Sequence, residues 1–403
     1  MSASSKSFGN SQTLGVSSSA NYSVHRDLQE STNRPITTSP FGRMTMMGRL
    51  AGGIVGGMIS EGAKQLTRGQ IPSFNEMLLT PQNARKLAER LSEMRGAAMK
   101  VGQLLSMDSG HLLPKEFSDV LARLRDNAHH MPLGQIASVL NEAWGAEWQS
   151  RFQRFFFTPI AAASIGQVHQ AVLRDGRRVA VKIQYPGITC SIDSDVDNVK
   201  RLLGMFNLLP PELDFSPLLE ESKKQLHAEA DYNKEMIALR RYAAHLSGDR
   251  RFQVPEVIDF LTTEEVLTMT LLTGQPIESL VDLPAEVRNR VAASLTELAL
   301  REVFEWGLVQ TDPNFANYLF EPESGRLVLL DFGAAREFPR EFVERYRRIC
   351  RAMVARDREE IRRAAVAIGY LGGDESEGRA KALADLILLL GEPLRHHGVY
   401  DFG

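Results

Sequence analysis

The feature that most constrains this chain is an ordered set of two acids and one amide. Asp312 and Asn317 lie in the stretch Val309–Phe320, and Asp331 begins an Asp-Phe-Gly sequence directly after the apolar run Leu327–Leu330. In that order, the first acid can orient or deprotonate a nucleophile, whereas the amide and the second acid can hold Mg²⁺ against nucleotide phosphates. The layout therefore predicts a phosphoryl-transfer site.

Composition and charge limit the functions that remain. At 403 residues, with 43% hydrophobic and 24% charged residues, the chain is typical of a globular protein with one large core or two ordinary ones. The net charge of −3, without a basic patch interleaved with aromatics, argues against nucleic acid as a partner. Cys190 and Cys350 supply neither a disulfide framework nor a zinc spacing, which favours a reducing compartment.

The N-terminal region divides into two segments by composition. Residues 1–43 are rich in serine and poor in acids, which is typical of a disordered tail, with a transit peptide as the alternative. Residues 44–70 contain the uncharged run Leu50–Ser60, which as a helix reaches only about half of a bilayer core and holds two overlapping Gly-x-x-x-Gly pairs. A glycine-rich surface helix and a helix in shallow membrane contact both remain open.

A helical extension, residues 71–150, precedes the predicted catalytic part. Thr80-Pro81 is typical of a helix start, and apolar residues then recur at steps of three and four through Leu105. Lys100 and Gln103 share one face of this helix beside the apolar stripe. On spacing alone, they are polar residues on the solvated flank of a helix.

Residues 151–273 have the pattern of a nucleotide-binding lobe. The small-residue loop Ala161–Gln167 precedes a hairpin turn at Asp175-Gly176 and a strand that carries Lys182. Such a loop covers phosphates, and such a strand places one cation on them. The residues predicted to contact nucleotide in this part are Ala161, Ala162, Ala163, Ser164, Gln167 and Lys182.

A kinase-like lobe also needs a helical carboxylate to hold the strand lysine. Glu229 and Glu235 are both candidates for the partner of Lys182, and we favour Glu235. The main chain from Met269 to Leu272 is predicted to bind an adenine edge. Thr273-Gly274 would form the hinge to the next lobe.

Residues 274–395 form the second predicted lobe. Asp312 is its predicted catalytic residue, and Asn317 and Asp331 are its predicted Mg²⁺ ligands. Between Arg336 and Arg363 the chain carries ten arginines against six acids. We interpret most of this charge as a solvated helix face, with docking to an acidic partner or to lipid headgroups as the alternative.

These motifs together resemble the UbiB/ADCK (aarF-type) family of atypical protein-kinase-like proteins, which is linked to ubiquinone biosynthesis. The resemblance covers about residues 48–391. Its motifs in this chain are Lys100-Val-Gly-Gln103, the Ala161–Ser164 segment, Val-Ala-Val-Lys182, Glu229-Ala-Asp231, the Asp312–Asn317 stretch and Asp331-Phe-Gly333. The first two motifs distinguish this family from ordinary protein kinases.

The resemblance implies an α+β, two-lobed protein-kinase-like fold with an N-terminal helical extension. It implies Mg²⁺ and ATP or ADP as cofactors. It also implies that Lys100, Gln103, Glu229 and Asp231 gate access to the site, with Lys100 engaging Glu229 or Asp231. Alanines instead of glycines at 161–163 are expected to restrict the loop and to disfavour transfer to a protein hydroxyl.

Two functional classes remain open. The favoured one is an ATP-dependent atypical kinase or ATPase that supports isoprenoid-quinone biosynthesis. The alternative is a nucleotide-binding scaffold or lipid-extraction factor for a quinone-biosynthesis complex. Beside nucleotide, the expected partners are isoprenoid lipids or quinone-biosynthesis proteins, with peripheral membrane contact. The expected location is cytoplasmic or peripheral to the inner membrane, and mitochondrial if the N-terminus is a transit peptide.

Overall fold

A computed structural model describes residues 96, 97, 100, 101, 131–205, 214–372 and 375–401. The predicted segments 1–43 and 44–70, and the gating residue Gln103, lie outside these described residues. The four described residues upstream, Gly96, Ala97, Lys100 and Val101, have helical backbone, as the amphipathic pattern predicts. Within the described part of the chain, no helix is both long and apolar enough to cross a bilayer.

The first lobe is built on four antiparallel strands. These are β1 (Phe152–Ala162), β2 (Gly166–Leu173), β3 (Arg178–Gln184) and, after the short β4 (Phe252–Gln253), β5 (Val266–Thr270). Their order in the sheet is β1-β2-β3-β5. The predicted hairpin between β2 and β3 is confirmed, because Gly176 turns the chain at a φ of +86°, which favours glycine.

The two faces of this sheet pack against two different apolar cores. On β3, Val179, Val181 and Ile183 face an outer core that includes residues of α1 (Leu133–Trp144), whereas Ala180 belongs to the inner core. Successive side chains of a strand point to opposite faces of its sheet, so residues two apart share a face. Lys182, two residues after Ala180, therefore points to the inner face, towards the second lobe.

Three helices follow β3 and cover the inner face of the sheet. They are α2 (Ile188–Met205), α3 (Ser216–Glu229) and α4 (Tyr232–His245). The chain leaves helical geometry between the end of α3 at Glu229 and the start of α4 at Tyr232. Asp231 causes the break, because its extended backbone and its side chain, which accepts from the Asn233 and Lys234 N–H groups, cap the start of α4.

The second lobe contains a small mixed sheet and a long helix. Its sheet has the order β4-β9-β8-β6, and β7 pairs separately with β10. The remaining bounds are β6 Gln275–Pro276, α5 Ala285–Arg301, a π-helical turn Glu302–Trp306, β7 Leu308–Gln310, β8 Tyr318–Glu321, β9 Arg326–Leu329 and β10 Ala335–Glu337.

One continuous apolar core joins the two lobes. It includes Leu267 and Met269 of β5 together with Leu327 of β9 and Phe332 of the Asp-Phe-Gly sequence. At the predicted hinge, a Cβ on Gly274 would lie 2.9 Å from the Phe320 carbonyl oxygen, so only glycine lets the chain pass this close to β8. The shared core and the close passage at Gly274 together place Lys182 above the stretch Val309–Phe320.

Four helices lie at the C-terminal end of the described chain, and the first three of them share a separate small core. They are α6 (Arg340–Ala355), α7 (Arg358–Ile368), α8 (Glu377–Leu390) and α9 (Glu392–Arg395). Eight of the ten arginines between Arg336 and Arg363 are exposed, and seven of the ten form ion pairs with acids, for example Arg348 with Glu360 and Arg358 with Asp385. Such surface pairs contribute about 0–1 kcal/mol each, so they mainly neutralise the charge of this region.

Candidate functional site

The first half of the site is an ion cluster centred on Lys182. Its Nζ lies 2.8 Å from both carboxylate oxygens of Glu235 on α4, and 3.6 Å from Asp331 Oδ2. Lys182 is 7% exposed and Glu235 is 1% exposed. Of the two acids that the sequence offered to the strand lysine, the structure places Glu235 against it.

Charge and burial act in opposite directions on this cluster. Burial raises the pKa of Glu235 to about 7, and the attraction of Lys182 only partly offsets this. Burial also opposes ionisation of Asp331, but Lys182 and the Gly333 N–H group lower the pKa of Asp331 below its ordinary value. Asp331 is therefore an anion at neutral pH and able to attract a metal cation.

The two residues that follow Asp331, Phe332 and Gly333, hold it in place. Phe332 is 2% exposed, and its ring centroid lies 5.1 Å from that of Tyr242 on α4. The Gly333 N–H group donates to Asp331 Oδ1 over 2.8 Å. The Asp331 side chain nevertheless remains 35% exposed, so a ligand can reach it.

Asn317 lies in the stretch Val309–Phe320, five residues after Asp312. Its Nδ2 donates to the Asp312 carbonyl oxygen over 3.3 Å, which orients the amide group. The Leu330 N–H group donates to the Asn317 carbonyl oxygen over 3.0 Å and ties the stretch to the strand before Asp331. The two predicted metal ligands therefore belong to segments that are directly hydrogen-bonded to each other.

The residues present fit Mg²⁺ held jointly with phosphates. Mg²⁺ in nucleotide sites takes one or two protein carboxylates and completes its octahedron with phosphate oxygens and water. The described residues hold no group of three or more His, Cys, Asp or Glu placed to bind a metal ion. Asp331 supplies one carboxylate and Asn317 supplies one amide. This set matches a Mg²⁺ ion held partly by phosphates, and not one held by protein ligands alone.

The second half of the site is an ion cluster centred on Lys100. Its Nζ lies 2.7 Å from Glu229 Oε1 and 3.1 Å from Asp312 Oδ2. The Ser164 hydroxyl donates to Glu229 Oε2 over 2.6 Å. Burial disfavours the charge of Lys100, yet Glu229 and Asp312 raise the pKa of Lys100, so it stays protonated. The helical extension, the alanine segment and the predicted catalytic residue meet at this lysine.

Two details of this cluster differ from the expected gate. Asp231, the other expected partner of Lys100, instead caps α4, where its carboxylate accepts two backbone N–H groups. The contact between Lys100 and Asp312 was not expected from the sequence. It means that the lysine of the extension touches the predicted catalytic side chain directly.

The predicted alanine loop is mostly strand. β1 continues through Ala162 and β2 begins at Gly166, and the Ala163 N–H group donates to the Gly166 carbonyl over 2.9 Å. Ala161 and Ala162 are exposed at the end of β1. The segment is therefore a tight hairpin tip, which restricts its backbone more than alanine content alone would do.

Gly96 lets the helical extension approach this hairpin tip closely. A Cβ at this position would lie 2.7 Å from the Ser164 carbonyl oxygen, a distance at which something must shift. Sequence reasoning missed Gly96. The available signal was a glycine inside a helix, where it costs about 1 kcal/mol relative to alanine and usually has a packing reason.

The structure corrects the expectation for Gln167. Gln167 is fully buried and lies opposite Ile183 in the β2–β3 ladder. Paired residues point to the same face, and Ile183 faces the outer core, so the Gln167 side chain lies on the opposite face of the sheet from Lys182. Strand alternation excludes its side chain from the site.

The structure narrows the set of backbone N–H groups between Met269 and Leu272 that could bind an adenine edge. Met269 is 6% exposed in the inner core and pairs with Ala180 in the sheet. The Thr270 N–H group donates to the Glu256 carbonyl over 2.8 Å, and the Leu271 N–H group donates to the Arg178 carbonyl over 3.0 Å. Of the N–H groups in the predicted stretch, Leu272 is the one that this pairing leaves for a base.

Sequence reasoning also missed two buried polar residues beneath the site. Gln310 contacts both the Asp312 and the Asp331 segments, and Glu302 accepts the Gln310 N–H group over 3.1 Å. Burial raises the pKa of Glu302 to about 7. The available signal for Glu302 was its position four residues after Leu298, which continues the apolar stripe of α5. A charged residue on such a stripe is costly unless it has a partner.

The fold and the Lys182 cluster define a protein of the kinase-like class. The family model of the ABC1 atypical kinase-like domain matches residues 123–365. Atypical kinase COQ8, mitochondrial, from Saccharomyces cerevisiae is 38% identical over 370 residues, which are 92% of this chain and 74% of that protein. Atypical kinase COQ8B, mitochondrial, from Rattus norvegicus is 38% identical over 375 residues, 93% of this chain and 71% of that protein.

Similarity to a solved structure agrees with this result. The complex of Rv3197 with erythromycin from Mycobacterium tuberculosis matches at a TM-score of 0.51 and 29% identity, over 76% of this chain and 79% of that one. The chain belongs to the ABC1 atypical kinase-like family. The resemblance to the UbiB/ADCK family and the expectation of a two-lobed kinase-like α+β fold are confirmed.

Proposed function

We propose that this protein binds Mg²⁺ together with ATP or ADP. We propose further that it hydrolyses the bound ATP, or transfers a phosphoryl group from it to a small molecule, in ubiquinone biosynthesis. The observation that carries the proposal is the Lys182 cluster. The Lys182 Nζ contacts both carboxylate oxygens of Glu235 and lies 3.6 Å from Asp331 Oδ2. A strand lysine, a helix glutamate and a metal-binding aspartate must be in place together for phosphoryl transfer in kinase-like sites.

The residues divide the work as follows. Lys182 binds the α- and β-phosphates, and Glu235 holds its ammonium group in position. Asp331 and Asn317 hold Mg²⁺, which neutralises charge on the phosphates when it is bound. Asp312 orients the attacking group. The hairpin tip from Ala161 to Ser164 covers the phosphates, between a first lobe at 151–273 and a second at 274–395.

Lys100 would act as the gate of this site. It holds Asp312 and Glu229 at the same time, so a protein substrate meets the helical extension where its hydroxyl would have to enter. Gln103, three residues after Lys100 in the sequence, is proposed to extend the gate. Asp231 supports the gate indirectly, because it caps the helix that begins three residues after Glu229.

Steady-state release of phosphate from Mg²⁺-ATP tests the enzymatic proposal. The wild type is expected to release phosphate, and Asp312→Asn is expected to lose most of that rate, because the amide cannot orient or accept a proton from the nucleophile. Equal and negligible rates in both proteins contradict the enzymatic proposal.

Self-phosphorylation tests the proposed role of the hairpin tip. Ala162→Gly is expected to loosen the tip and to increase labelling by radioactive ATP, because glycine restores backbone freedom next to the phosphates. Labelling that stays at background shows that the alanines do not restrict transfer.

A nucleotide-binding scaffold or lipid-extraction factor is the second candidate. The contact of Lys100 with Asp312 at 3.1 Å favours it, because this contact occupies the predicted catalytic carboxylate. Such a protein would bind Mg²⁺-nucleotide and respond to it in shape, with little turnover. Its partners would be isoprenoid lipids or proteins of quinone biosynthesis.

We also propose a mitochondrial location with peripheral membrane contact. The support is that the COQ8 relatives are named mitochondrial and that residues 44–70 contain an uncharged glycine-rich run. Membrane fractionation with and without residues 1–60 tests this proposal. If both proteins partition equally with membranes, these residues do not provide the contact.

A further inference from the structure

Gln310 bridges the two acidic segments of the site with its side-chain amide. Its Nε2 donates to the Asp331 carbonyl oxygen over 2.8 Å. Its Oε1 accepts the Asp312 N–H group over 3.1 Å. One planar amide thus spans the backbone of the predicted metal-binding acid and the backbone of the predicted catalytic acid. A shift of either segment would break one of these two bonds.

Glu302 fixes the strand residue that carries this amide. Its Oε2 accepts the Gln310 N–H group over 3.1 Å, and both residues are buried, at 4% and 8% exposure. Glu302 begins the π-helical turn that ends α5, and Gly307 then reverses the chain at a φ of +63° into β7. π-helical turns are rare and are frequently found at functional sites.

We propose that Gln310 is a positioning residue that sets Asp312 relative to Asp331, and that Glu302 holds Gln310 in that role. Neither side chain is proposed to touch nucleotide or metal. Gln310 acts through the backbones of the two acids, and Glu302 acts through the backbone of Gln310. The inference rests on the proposed Mg²⁺-nucleotide site and extends it to residues beneath the site.

Burial by itself does not require this pairing. A buried amide needs partners for its donor and its acceptor, and water or any backbone group can provide them. Here the two partners belong to the two segments that must cooperate in metal binding and transfer. Partners that orient metal ligands from behind typically change metal affinity or activity 10–100-fold when they are removed.

The test compares how variants depend on Mg²⁺, a quantity that does not require turnover. ADP-induced stabilisation of the full chain is measured by thermal unfolding across a Mg²⁺ titration. Gln310→Leu removes both side-chain bonds at similar volume. Gln310→Glu keeps an acceptor for the Asp312 N–H group and loses the donor to the Asp331 carbonyl. Both variants are expected to need about tenfold or more Mg²⁺ for half of the ADP-induced shift.

Variants of Glu302 supply the matched control. Glu302→Gln keeps an acceptor for the Gln310 N–H group and is expected to retain the wild-type Mg²⁺ midpoint. Glu302→Leu removes it and is expected to raise the midpoint, and the double variant Glu302→Leu/Gln310→Leu should be no worse than Gln310→Leu alone. A merely structural role would instead lower melting temperatures additively and leave the Mg²⁺ midpoints at the wild-type value.

The outcomes separate this inference from the proposed function. A wild-type shift that depends on Mg²⁺, together with unchanged midpoints in folded Gln310→Glu, overturns the inference and leaves the proposed function standing. A wild type without any Mg²⁺-dependent shift overturns the proposed function and this inference with it. Where Gln310→Leu does not fold, Gln310→Glu decides alone.

Discussion

Two lysines each stand between two carboxylates, and they differ in how deeply the nearer carboxylate is buried, whereas the farther ones, Asp331 and Asp312, are similarly exposed at 35% and 33%. Lys182 contacts Glu235, which is 1% exposed, and lies near Asp331. Lys100 contacts Glu229 and Asp312, whose side chains are 13% and 33% exposed. The pair of Lys182 and Glu235 joins a strand to a helix within one lobe, and Asp331 belongs to the other lobe. The Lys100 cluster joins the N-terminal extension to both lobes.

This difference separates a permanent contact from a removable one. Breaking a buried pair leaves an uncompensated charge that water cannot reach, whereas carboxylates near the surface regain water when their lysine leaves. We infer that the Lys182 cluster belongs to the framework of the site, and that the Lys100 cluster is a latch that can open.

The largest expected effect is the loss of the buried pair. Lys182→Met should destabilise the fold by about 3–5 kcal/mol, because Glu235 stays buried without its partner. It should also abolish stabilisation by Mg²⁺-nucleotide. Urea unfolding and nucleotide-dependent melting measure these two effects.

The double variant is the control for this effect. Lys182→Met/Glu235→Leu should recover much of the lost stability, since replacing both members of a buried ion pair by apolar residues is often neutral. It should not recover nucleotide binding. A double variant as unstable as the single one would show that the pair is not the source of the loss.

Opening the latch should have a smaller effect on stability. Lys100→Met is expected to cost about 1–2 kcal/mol, between the values for surface and buried pairs, because water reaches both partners. Stabilisation by Mg²⁺-ADP should persist, unlike in Lys182→Met. The same two measurements apply, and a loss of nucleotide stabilisation equal to that of Lys182→Met would remove the distinction between the two clusters.

The close approach of the extension is tested by two glycines in helices. Gly96→Ala should destabilise the fold by about 1 kcal/mol or more, because its Cβ meets the Ser164 carbonyl and cancels the helix propensity that alanine gains. Gly134→Ala is the matched control in α1, where nothing lies within 4 Å, and should stabilise by up to about 1 kcal/mol. Equal stabilisation in urea unfolding would mean that the extension does not rest on the hairpin tip.

The smallest expected effect concerns the hydroxyl that joins the hairpin tip to the latch. Ser164→Ala should cost about 0.5–1.5 kcal/mol, because Glu229 loses a partly buried hydrogen bond. Ser138→Ala removes an exposed hydrogen bond to Glu142 and should be nearly neutral. Chemical denaturation compares the two, and a similar change in both would show that burial adds nothing at Ser164.

The sequence predicted most of what depends on order along the chain. The strand that carries Lys182 and the Asp-Phe-Gly sequence, read with the resemblance to the UbiB/ADCK family, were enough to predict a two-lobed kinase-like fold. The layout of a kinase-like lobe predicted a helical carboxylate beside Lys182, with Glu229 and Glu235 as the candidates. These features are local or recurrent, so a single sequence carries them.

What the sequence did not predict depends on distances between remote segments. Lys100 and Asp312 are far apart in the chain, and no periodicity indicates that they touch. Gln167 was placed in a loop that covers the phosphates, because the start of β2 had to be located before its alternation could be read. Gln310 and Glu302 were missed because buried polar residues have no signature until their partners are known.

The central claim is a Mg²⁺-dependent nucleotide site at Lys182, Glu235 and Asp331. Calorimetric titration of ADP into the full chain, with Mg²⁺ and then with EDTA, tests it most directly, with Asp331→Asn as the variant of equal shape. We predict binding to the wild type that weakens at least about tenfold with EDTA, and an equal weakening in Asp331→Asn with Mg²⁺ present. Equal affinity in all of these titrations would contradict the assignment of Asp331 to the metal.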